Sequence, residues 1–463
     1  MPVSAPATEK RLLLVSYHIG RNSPTGGIRW NAMMRDLVAA GWRVDVITLD
    51  REGLAPAFET PDGMLEFFRV RGTDVPQRAL RALARSVRFL TGRRNAAPGG
   101  ALSSSNGAPP SMAELDARID RELWRQDQKR SLREHITSVL DGIEAWITDT
   151  VWSGRALRVA RDLARKRSYR AVVVSSPPHY TQRVGARLSR AFGIPYIADY
   201  RDPWLLGIEW LDNYLNLFER VIARRREPEW LRDATVILHN TPRAQREIGA
   251  RFPAGIRGRH LAVPNGYDSV IAVTAPDPEC FRIVFTGWLY PYMDPRPLFA
   301  AAKRLQGEHH LGPDRLRIEF VGTDAQFGGV DLQVLAEAYG LGAYFTRSAR
   351  VPRDQARRIQ QEAAVMVAYD CPHPLSVPSK FYEYAQLSGS MLLLGNPDGA
   401  MADAAAPLGL RVCALKDQDA IYTELSNAYG RWSRGELRKP LDVEGRYDRR
   451  RQVDVVREIL DSL

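Results

Sequence analysis

The sequence predicts an α/β protein built from two Rossmann-like domains, each a mostly parallel sheet flanked by helices. Short apolar runs typical of buried parallel strands recur along the chain. Helical patterns separate these runs, and Gly or Pro follows most of them. The chain has 463 residues, too many for one ordinary core. Strands that alternate with helices in this way form βαβ units and parallel sheets.

The first half opens with such a βαβ unit. Residues 11–17 (RLLLVSY) form the first strand, and a loop with the sequence GRNSPTGGIRW follows. A helical pattern then runs to Ala40, Gly41 fits a helix C-cap, and residues 42–48 (WRVDVIT) form the next strand. Further strands are predicted at residues 64–70, 171–174, 195–198, 236–238 and 260–263, with a helix over 181–191.

An insertion over residues 73–150 interrupts this half. Residues 78–90 have the pattern of a basic amphipathic helix, and the Gly-, Pro- and Ser-rich stretch 91–111 predicts a disordered loop. Ser111 and Glu114 then resemble a capping box for a charged helix. The basic stripe favours contact with an anionic membrane surface. The alternative is a domain helix whose arginines are merely solvated.

A second βαβ series follows, with strands predicted at residues 282–285, 316–321, 365–368 and 391–394. We therefore divide the chain into an N-terminal acceptor domain (1–270, with the insertion), a C-terminal nucleotide-sugar domain (271–445) and a C-terminal helix (446–463). We expect that helix to pack back on the N-terminal domain.

Composition limits the possible partners. The net charge of +11 and the pI of about 9.6 favour an anionic partner: a nucleotide phosphate, a membrane surface or nucleic acid. Nucleic acid is disfavoured, because no recognition motif is present and the basic residues are dispersed. No apolar run is long enough for a transmembrane helix. The residues before the first strand lack a secretory apolar region, and three widely spaced cysteines fit reduced thiols, so we expect a cytoplasmic protein.

Six motifs carry a resemblance to a known family: GGIRW, SSPPHY, DYRDPW, VPNGYD, FTGWLY and SVPSKFYEYA. Their order resembles family 4 of the GT-B glycosyltransferases, in particular the bacterial branch with RDPW and PSKxxEY motifs. The resemblance covers most of residues 11–462 apart from the insertion. It implies two facing Rossmann-like domains, with a nucleotide-sugar donor in the second and the acceptor mainly against the first. It also implies transfer with retention of configuration and without a metal or other cofactor.

The strongest candidate site is the stretch 376–384 (SVPSKFYEY), where a helix begins just after a predicted strand. Lys380 would add a full positive charge at an anion-favouring helix start, and Glu383 could accept hydrogen bonds from sugar hydroxyls. In the family, the residue matching Glu383 binds the donor ribose, and helix-start groups such as Ser379 hold the diphosphate. The alternative is an ordinary capped helix. Leu375 departs from the family, which often has a glutamate there.

The loop at Gly287 (FTGWLYPYMDPRP) is the second donor-side candidate. Many family members have an arginine at the position of Trp288 and a lysine at the position of Asp294. In those proteins the arginine and the lysine both bind the diphosphate. Arg296 or Lys380 could substitute for those cations. Trp288 would stack on a base or sugar, or it would simply pack.

Three candidates follow strands of the first half. Gly26 and Gly27, in the first strand-to-helix loop, would allow close approach of the backbone to phosphates or hydroxyls of the donor. His179, after AVVV, matches a family histidine near the transferred sugar, and His18 is the second choice. Asp199 would bind the acceptor hydroxyl or act as a base.

A formal metal-binding DxD motif at residues 417–419 is interpreted as a chance match, so no metal ligand is predicted. The sequence thus predicts a retaining, metal-independent glycosyltransferase in surface polysaccharide assembly, at the inner face of the membrane. Lys380 would stabilise the leaving diphosphate. The alternative is a catalytically degenerate nucleotide-sugar-binding partner protein, suggested by the missing family residues at positions 288, 294 and 375.

Overall fold

The computed structural model describes residues 10–20, 25–51, 58, 60–73, 111–127, 132–202, 204, 217–251, 255–268, 274–371 and 373–463. The predicted basic helix over 78–90 and nearly all of the stretch 91–111 lie outside these residues. Two compact units are present. The described residues up to 73, from 132 to 268 and from 448 to 463 form the first unit; those from 111 to 127 and from 274 to 447 form the second.

Fifteen strands are seen in the described residues: β1 (Arg11–Ser16), β2 (Arg43–Leu49), β3 (Leu65–Val70), β4 (Ala171–Ser176), β5 (Tyr196–Tyr200), β6 (Val236–His239), β7 (Arg259–Ala262), β8 (Phe281–Thr286), β9 (Leu316–Val321), β10 (Gln326–Phe327), β11 (Val330–Asp331), β12 (Phe345–Ser348), β13 (Val365–Tyr369), β14 (Ser390–Gly395) and β15 (Val412–Ala414).

The helices of the same residues are α1 (Thr25–Ala39), α2 (Met112–Asp127), α3 (Leu132–Lys166), α4 (Gln182–Phe192), α5 (Leu217–Leu231), α6 (Pro242–Arg251), α7 (Arg296–Glu308), α8 (Leu332–Ala338), α9 (Arg353–Glu362), α10 (Ser379–Ala385), α11 (Ala400–Ala405), α12 (Gln418–Ser433) and α13 (Arg449–Ser462). Short 3-10 turns cover His179–Thr181 and Ala406–Leu408. No helix in these ranges is long and apolar enough to cross a membrane.

The first unit is built on a seven-stranded sheet in the order β3-β2-β1-β4-β5-β6-β7, with every neighbouring pair parallel. All six residues of β1 and of β4 are buried, which explains why these strands read as continuous apolar runs. One side of the sheet packs on α1 and on α13, whose apolar residues join the same core: Val453, Val456, Ile459 and Leu460.

The second unit is built on a six-stranded parallel sheet in the order β12-β9-β8-β13-β14-β15. The predicted α/β class, with two sheets of parallel strands flanked by helices, is therefore confirmed. Strands β12 and β15, at the two edges of this sheet, were not predicted.

Helix α2 is the element whose location the sequence did not indicate. We placed residues 73–150 as an insertion of the first domain, but α2 packs on the second unit, where Leu115 and Ile119 join the core. A Cβ atom added to Gly328, in the tight turn between β10 and β11, would lie 2.9 Å from the Ile119 side chain. The predicted capping box is confirmed: Ser111 and Glu114 exchange side-chain and backbone hydrogen bonds at the start of α2.

Candidate functional site

The order of strands defines where a ligand would bind in the second unit. From β8 the chain continues to β9 and β12 on one side, and it later returns to β13, β14 and β15 on the other side. The loops that follow β8 and β13 therefore leave the sheet in opposite directions. Open parallel sheets bind ligands in the crevice that this reversal creates at the carboxyl ends of the strands.

The loop after β8 presents aromatic side chains beside this crevice. Gly287 has a φ of +130°, which side chains other than glycine rarely adopt, and its N–H donates to the Val321 carbonyl at 2.8 Å. Trp288 is 52% exposed, so it does not simply pack in the core. Tyr290 is also exposed and stacks on Tyr292, with ring centroids 5.5 Å apart. An exposed tryptophan here favours the prediction that Trp288 stacks on a ligand.

Helix α10 begins after β13, on the other side of the crevice. Ser379 is its first residue, Lys380 lies in its first turn, and Glu383 lies one turn further on. The Lys380 Nζ atom lies 2.6 Å from Glu383 Oε2, and both side chains are about one-third exposed. The two predicted donor-binding groups thus form one ion pair at the surface. Leu375, in the preceding loop, is buried.

A buried hydrogen bond joins these two loops. The hydroxyls of Thr286, the last residue of β8, and of Tyr384, in α10, lie 2.9 Å apart, and Gln360 Nε2 also donates to Thr286 at 2.8 Å. Thr286 directly precedes Gly287, and Tyr384 directly follows Glu383. The structure therefore brings five predicted donor-site residues to one edge of the sheet: Gly287, Trp288, Ser379, Lys380 and Glu383.

Arg296 does not join this group, which corrects its predicted role as a substitute diphosphate cation. Its guanidinium group is mostly buried and bonds to three carboxylates, those of Asp294 (2.7 Å), Asp120 (2.7 Å) and Asp116 (3.3 Å). The last two belong to α2. The positive charge of Arg296 is thereby neutralised within the unit, and its role is to hold α2 in place.

Asp370, which directly follows β13, was missed by the sequence reasoning. Its side chain is buried, and its oxygens accept hydrogen bonds from the backbone N–H groups of Cys371 (2.9 Å) and Asn396 (3.5 Å). Burial raises the pKa of Asp370 to about 7, although these two hydrogen bonds oppose the shift. The available signal was a carboxylate immediately after the apolar run AAVMVAY.

In the first unit the equivalent reversal of strand order lies between β1 and β4. The prediction that Gly26 and Gly27 lie in a loop there is wrong. Helix α1 already begins at Thr25, and both glycines belong to its first turn. The GGIRW motif is therefore a helix start at the carboxyl edge of the sheet.

His179 begins the 3-10 turn after β4 and lies among aromatic rings. It stacks on Trp204 with centroids 5.3 Å apart and lies 5.5 Å from the ring of Tyr200. Within the described residues its Nδ1 atom is buried and has no hydrogen-bond partner. Burial, with the nearby charge of Arg201, lowers the pKa of His179 to about 3, so the imidazole is neutral at physiological pH.

Asp199 lies in the interior of the first unit, which argues against the predicted role as an acceptor base. Its Oδ2 atom accepts hydrogen bonds from Trp30 Nε1 (2.6 Å) and Ser175 Oγ (2.8 Å). Its Oδ1 atom lies 3.5 Å from the buried guanidinium group of Arg29. A carboxylate that is wholly buried, with hydrogen bonds to two side chains and an ion pair with a third, is a structural group of the core and is not placed to meet an acceptor.

The DxD stretch has structural roles. The Asp417 side chain accepts a hydrogen bond from Ala420 N and caps α12, while Asp419 pairs with Arg304 at 2.8 Å. Among the described residues there is no group of three or more His, Cys, Asp or Glu side chains that could hold a metal ion.

Comparisons with known proteins bear on the fold. No protein-family model and no curated protein sequence matches the chain. Among solved structures, the chain is similar to α,α-trehalose 6-phosphate synthase from Burkholderia multivorans, with a TM-score of 0.60 and 12% identity, over 98% of this chain and 97% of that one.

Two further solved structures are similar over 98% of this chain and the whole of the other. One is the sucrose-phosphate synthase of Thermosynechococcus elongatus (TM-score 0.55, 13% identity). The other is the lipopolysaccharide outer core galactosyltransferase WaaB (TM-score 0.53, 8% identity). Identities this low show a shared fold only. That fold is GT-B, as predicted; membership of family 4 stays a prediction.

Proposed function

We propose that the chain is a glycosyltransferase that takes a sugar from a nucleotide-diphosphate donor bound at the carboxyl edge of the second sheet. The observation that carries this proposal is the hydrogen bond between Thr286 and Tyr384, which holds an exposed Trp288 and the Lys380–Glu383 pair on the two sides of one crevice. A cation, a hydroxyl-accepting carboxylate and an exposed ring match the phosphate, ribose and base or sugar of such a donor.

The mechanism follows from what each group can do. Lys380 would turn from Glu383 to the diphosphate and stabilise the negative charge that develops as the nucleotide leaves. Glu383, released from the lysine, would accept hydrogen bonds from the ribose hydroxyls. No described residue at this edge is an evident covalent nucleophile, which favours departure and attack on the same face, with retention of configuration. The leaving diphosphate would take the acceptor proton, and no metal would be needed.

The acceptor we propose is a saccharide or a lipid-linked sugar of a bacterial surface polysaccharide. Support comes from the RDPW and PSKxxEY motifs, and from the fold shared with a lipopolysaccharide outer core galactosyltransferase. His179, a neutral imidazole at the carboxyl edge of the first sheet, would hydrogen-bond a sugar hydroxyl.

A thermal-shift screen against nucleotide-diphosphate sugars, with and without EDTA, tests this function. A specific donor at 100 times its Kd would stabilise the protein by about 2.7 kcal/mol. We expect one donor to raise the Tm equally with and without EDTA, and Lys380→Ala to lose the shift and to lower turnover about 100-fold. Lys303→Ala, an exposed lysine of the same unit, is the matched control.

Three outcomes would count against the proposal. If no nucleotide-diphosphate sugar changes the Tm, the proposed donor site is rejected. If Lys380→Ala keeps full activity, Lys380 has no role in the mechanism. Donor binding without any release of nucleotide would favour a degenerate binding partner.

A further inference from the structure

Asp149 lies on α3 beside the reversal of strand order in the first unit. Burial, and after it the charge of Asp149, raises the pKa of Tyr17, which directly follows β1, and of Tyr180, in the turn after β4. One turn further along α3, Trp152 packs edge-on against Tyr17, with ring centroids 4.9 Å apart. Asp149 therefore faces the same carboxyl edge of the sheet at which open parallel sheets bind ligands.

Within the part of the chain that the structure describes, Asp149 makes no hydrogen bond or ion pair with another residue. Burial alone raises its pKa to about 7, with no opposing charge. Buried polar groups are normally hydrogen-bonded. The oxygens of Asp149 are not among the fully buried polar atoms without a partner, so they reach solvent and are open to a ligand. A ligand that donates hydrogen bonds would supply the missing partners.

The neighbouring side chains indicate which kind of ligand. The aromatic pair Tyr17 and Trp152 offers an apolar surface beside the acid. When that acid is ionised, it accepts hydrogen bonds and donates none. Sugars present both an apolar C–H face and a ring of hydroxyl donors, so they match this pair of features. The other charged or titratable groups around the edge come from separate loops and helices: His18, Arg51, His179, Arg201 and Glu219.

We propose that Asp149 is the hydroxyl-binding group of a saccharide subsite in the first unit, and that it holds the acceptor sugar there through hydrogen bonds to the ionised carboxylate. The inference rests on the proposed function, since it names the residue that receives the acceptor. It replaces Asp199, which is buried in the core, as the acceptor-side carboxylate.

Calorimetric titration with a panel of methyl hexosides tests the subsite. Because the ionised carboxylate is the acceptor of these hydrogen bonds, we expect at least one methyl hexoside to bind about 10-fold more tightly at pH 8 than at pH 6. Asp149→Asn should bind that hexoside about 10-fold more weakly and without the pH dependence. Asp162→Asn, an exposed acid on the same helix, should behave as wild type.

Several results would overturn the proposal. These are no binding of any methyl hexoside to the wild type, unchanged affinity and pH dependence in Asp149→Asn, or a lowered Tm in Asp149→Asn, which would show a structural role. Donor binding is measured independently of hexoside binding, by the thermal-shift screen. In that screen Asp149→Asn should keep the wild-type shift with nucleotide-diphosphate sugars. Hexoside binding without donor binding would reject the transferase but keep the subsite, and the reverse result would reject only the subsite.

Discussion

At the scale of single residues, the Lys380–Glu383 ion pair is an arrangement that a donor would have to open. The two atoms lie 2.6 Å apart, so the diphosphate and the ribose would compete with an existing contact for both side chains. Exposed ion pairs contribute at most about 1 kcal/mol, so a charged ligand can displace this one at little cost.

Glu383→Gln tests the carboxylate. If Glu383 binds the ribose as proposed, the variant loses a charge-assisted hydrogen bond typically worth about 1.5–3 kcal/mol, so we expect donor affinity to fall about 10- to 100-fold. Calorimetric titration with the donor found in the thermal-shift screen measures this. The control is Glu436→Gln. Glu436 is an exposed acid of the same unit that, like Glu383, pairs with a basic side chain, in its case Arg434. Equal losses in the two variants would contradict a specific role for Glu383.

Asp370 predicts a pH dependence of stability. Its pKa is raised to about 7 in the folded protein, so the native state keeps a proton that the unfolded chain loses above about pH 4. The stabilisation is complete below about pH 4 and is lost as the pH rises through about 7.

The measurement is a series of Tm values from pH 5 to pH 8 for the wild type and for Asp370→Asn, which carries no ionisable group at this position. The Tm of the variant relative to the wild type should rise across this range. Asp324→Asn, at an exposed position of the same unit, should show a constant difference. A constant difference for Asp370→Asn as well would show that this carboxyl does not titrate there.

At the scale of elements, all seven strands of the first sheet and the four central strands of the second could be predicted from sequence, but the edge strands β12 and β15 of the second sheet could not. Strands such as β4 and β13 are buried along their whole length, so each appears as an uninterrupted apolar run. Strand β12 is buried only at Phe345, and β15 has three residues. These two edge strands carry too few apolar residues to be distinguished from loops.

The location of the candidate donor-side residues at the sheet edge was predictable for the same reason, because they lie in the segments that follow central strands. Their role as donor-binding groups stays a prediction. The roles of Arg296 and Asp199 were not predictable, because their partners are far away in sequence. Arg296 bonds to α2, about 180 residues earlier, and Asp199 bonds to Trp30, 169 residues earlier. A local motif indicates which chemistry a side chain offers, but only the folded chain shows which group uses it.

Arg296→Ala tests the attachment of α2. Removing the guanidinium group leaves three carboxylates close together without a cation, so we expect α2 to loosen and the unit to lose about 2 kcal/mol of stability. Hydrogen exchange over residues 112–127 measures this. The control is Arg304→Ala, which lies on α7 together with Arg296. Unchanged protection would show that the apolar contacts of Leu115 and Ile119 hold α2 alone.

At the scale of the whole molecule, neither unit is one continuous segment, because the chain passes between the two units several times. Arg449, at the start of α13, bonds to the backbone of Tyr267 and to the Asp268 side chain, and α13 completes the core of the first unit. Helix α13 therefore stabilises the unit to which β1 belongs, although more than 400 residues separate the two elements in sequence.

Removal of residues 449–463 should thus destabilise the first unit only. Four buried aliphatic side chains are lost, so we expect its transition to lose about 3 kcal/mol or more. Differential scanning calorimetry, with donor added to mark the transition of the second unit, would separate the two. A downward shift of the donor-sensitive transition would contradict this assignment.

The placement of α2 and α13 also determines the order in which the protein can mature on the ribosome. Helix α2 is synthesised about 200 residues before β11, against which it packs. At 5–20 residues per second it waits roughly 10–40 s with its apolar side uncovered. The first strand, β1, waits longer still, because the core of the first unit is closed by α13, which is synthesised after the whole of the second unit. The unit whose synthesis begins first is therefore the unit that finishes folding last, and nascent chains would need protection until α13 has emerged.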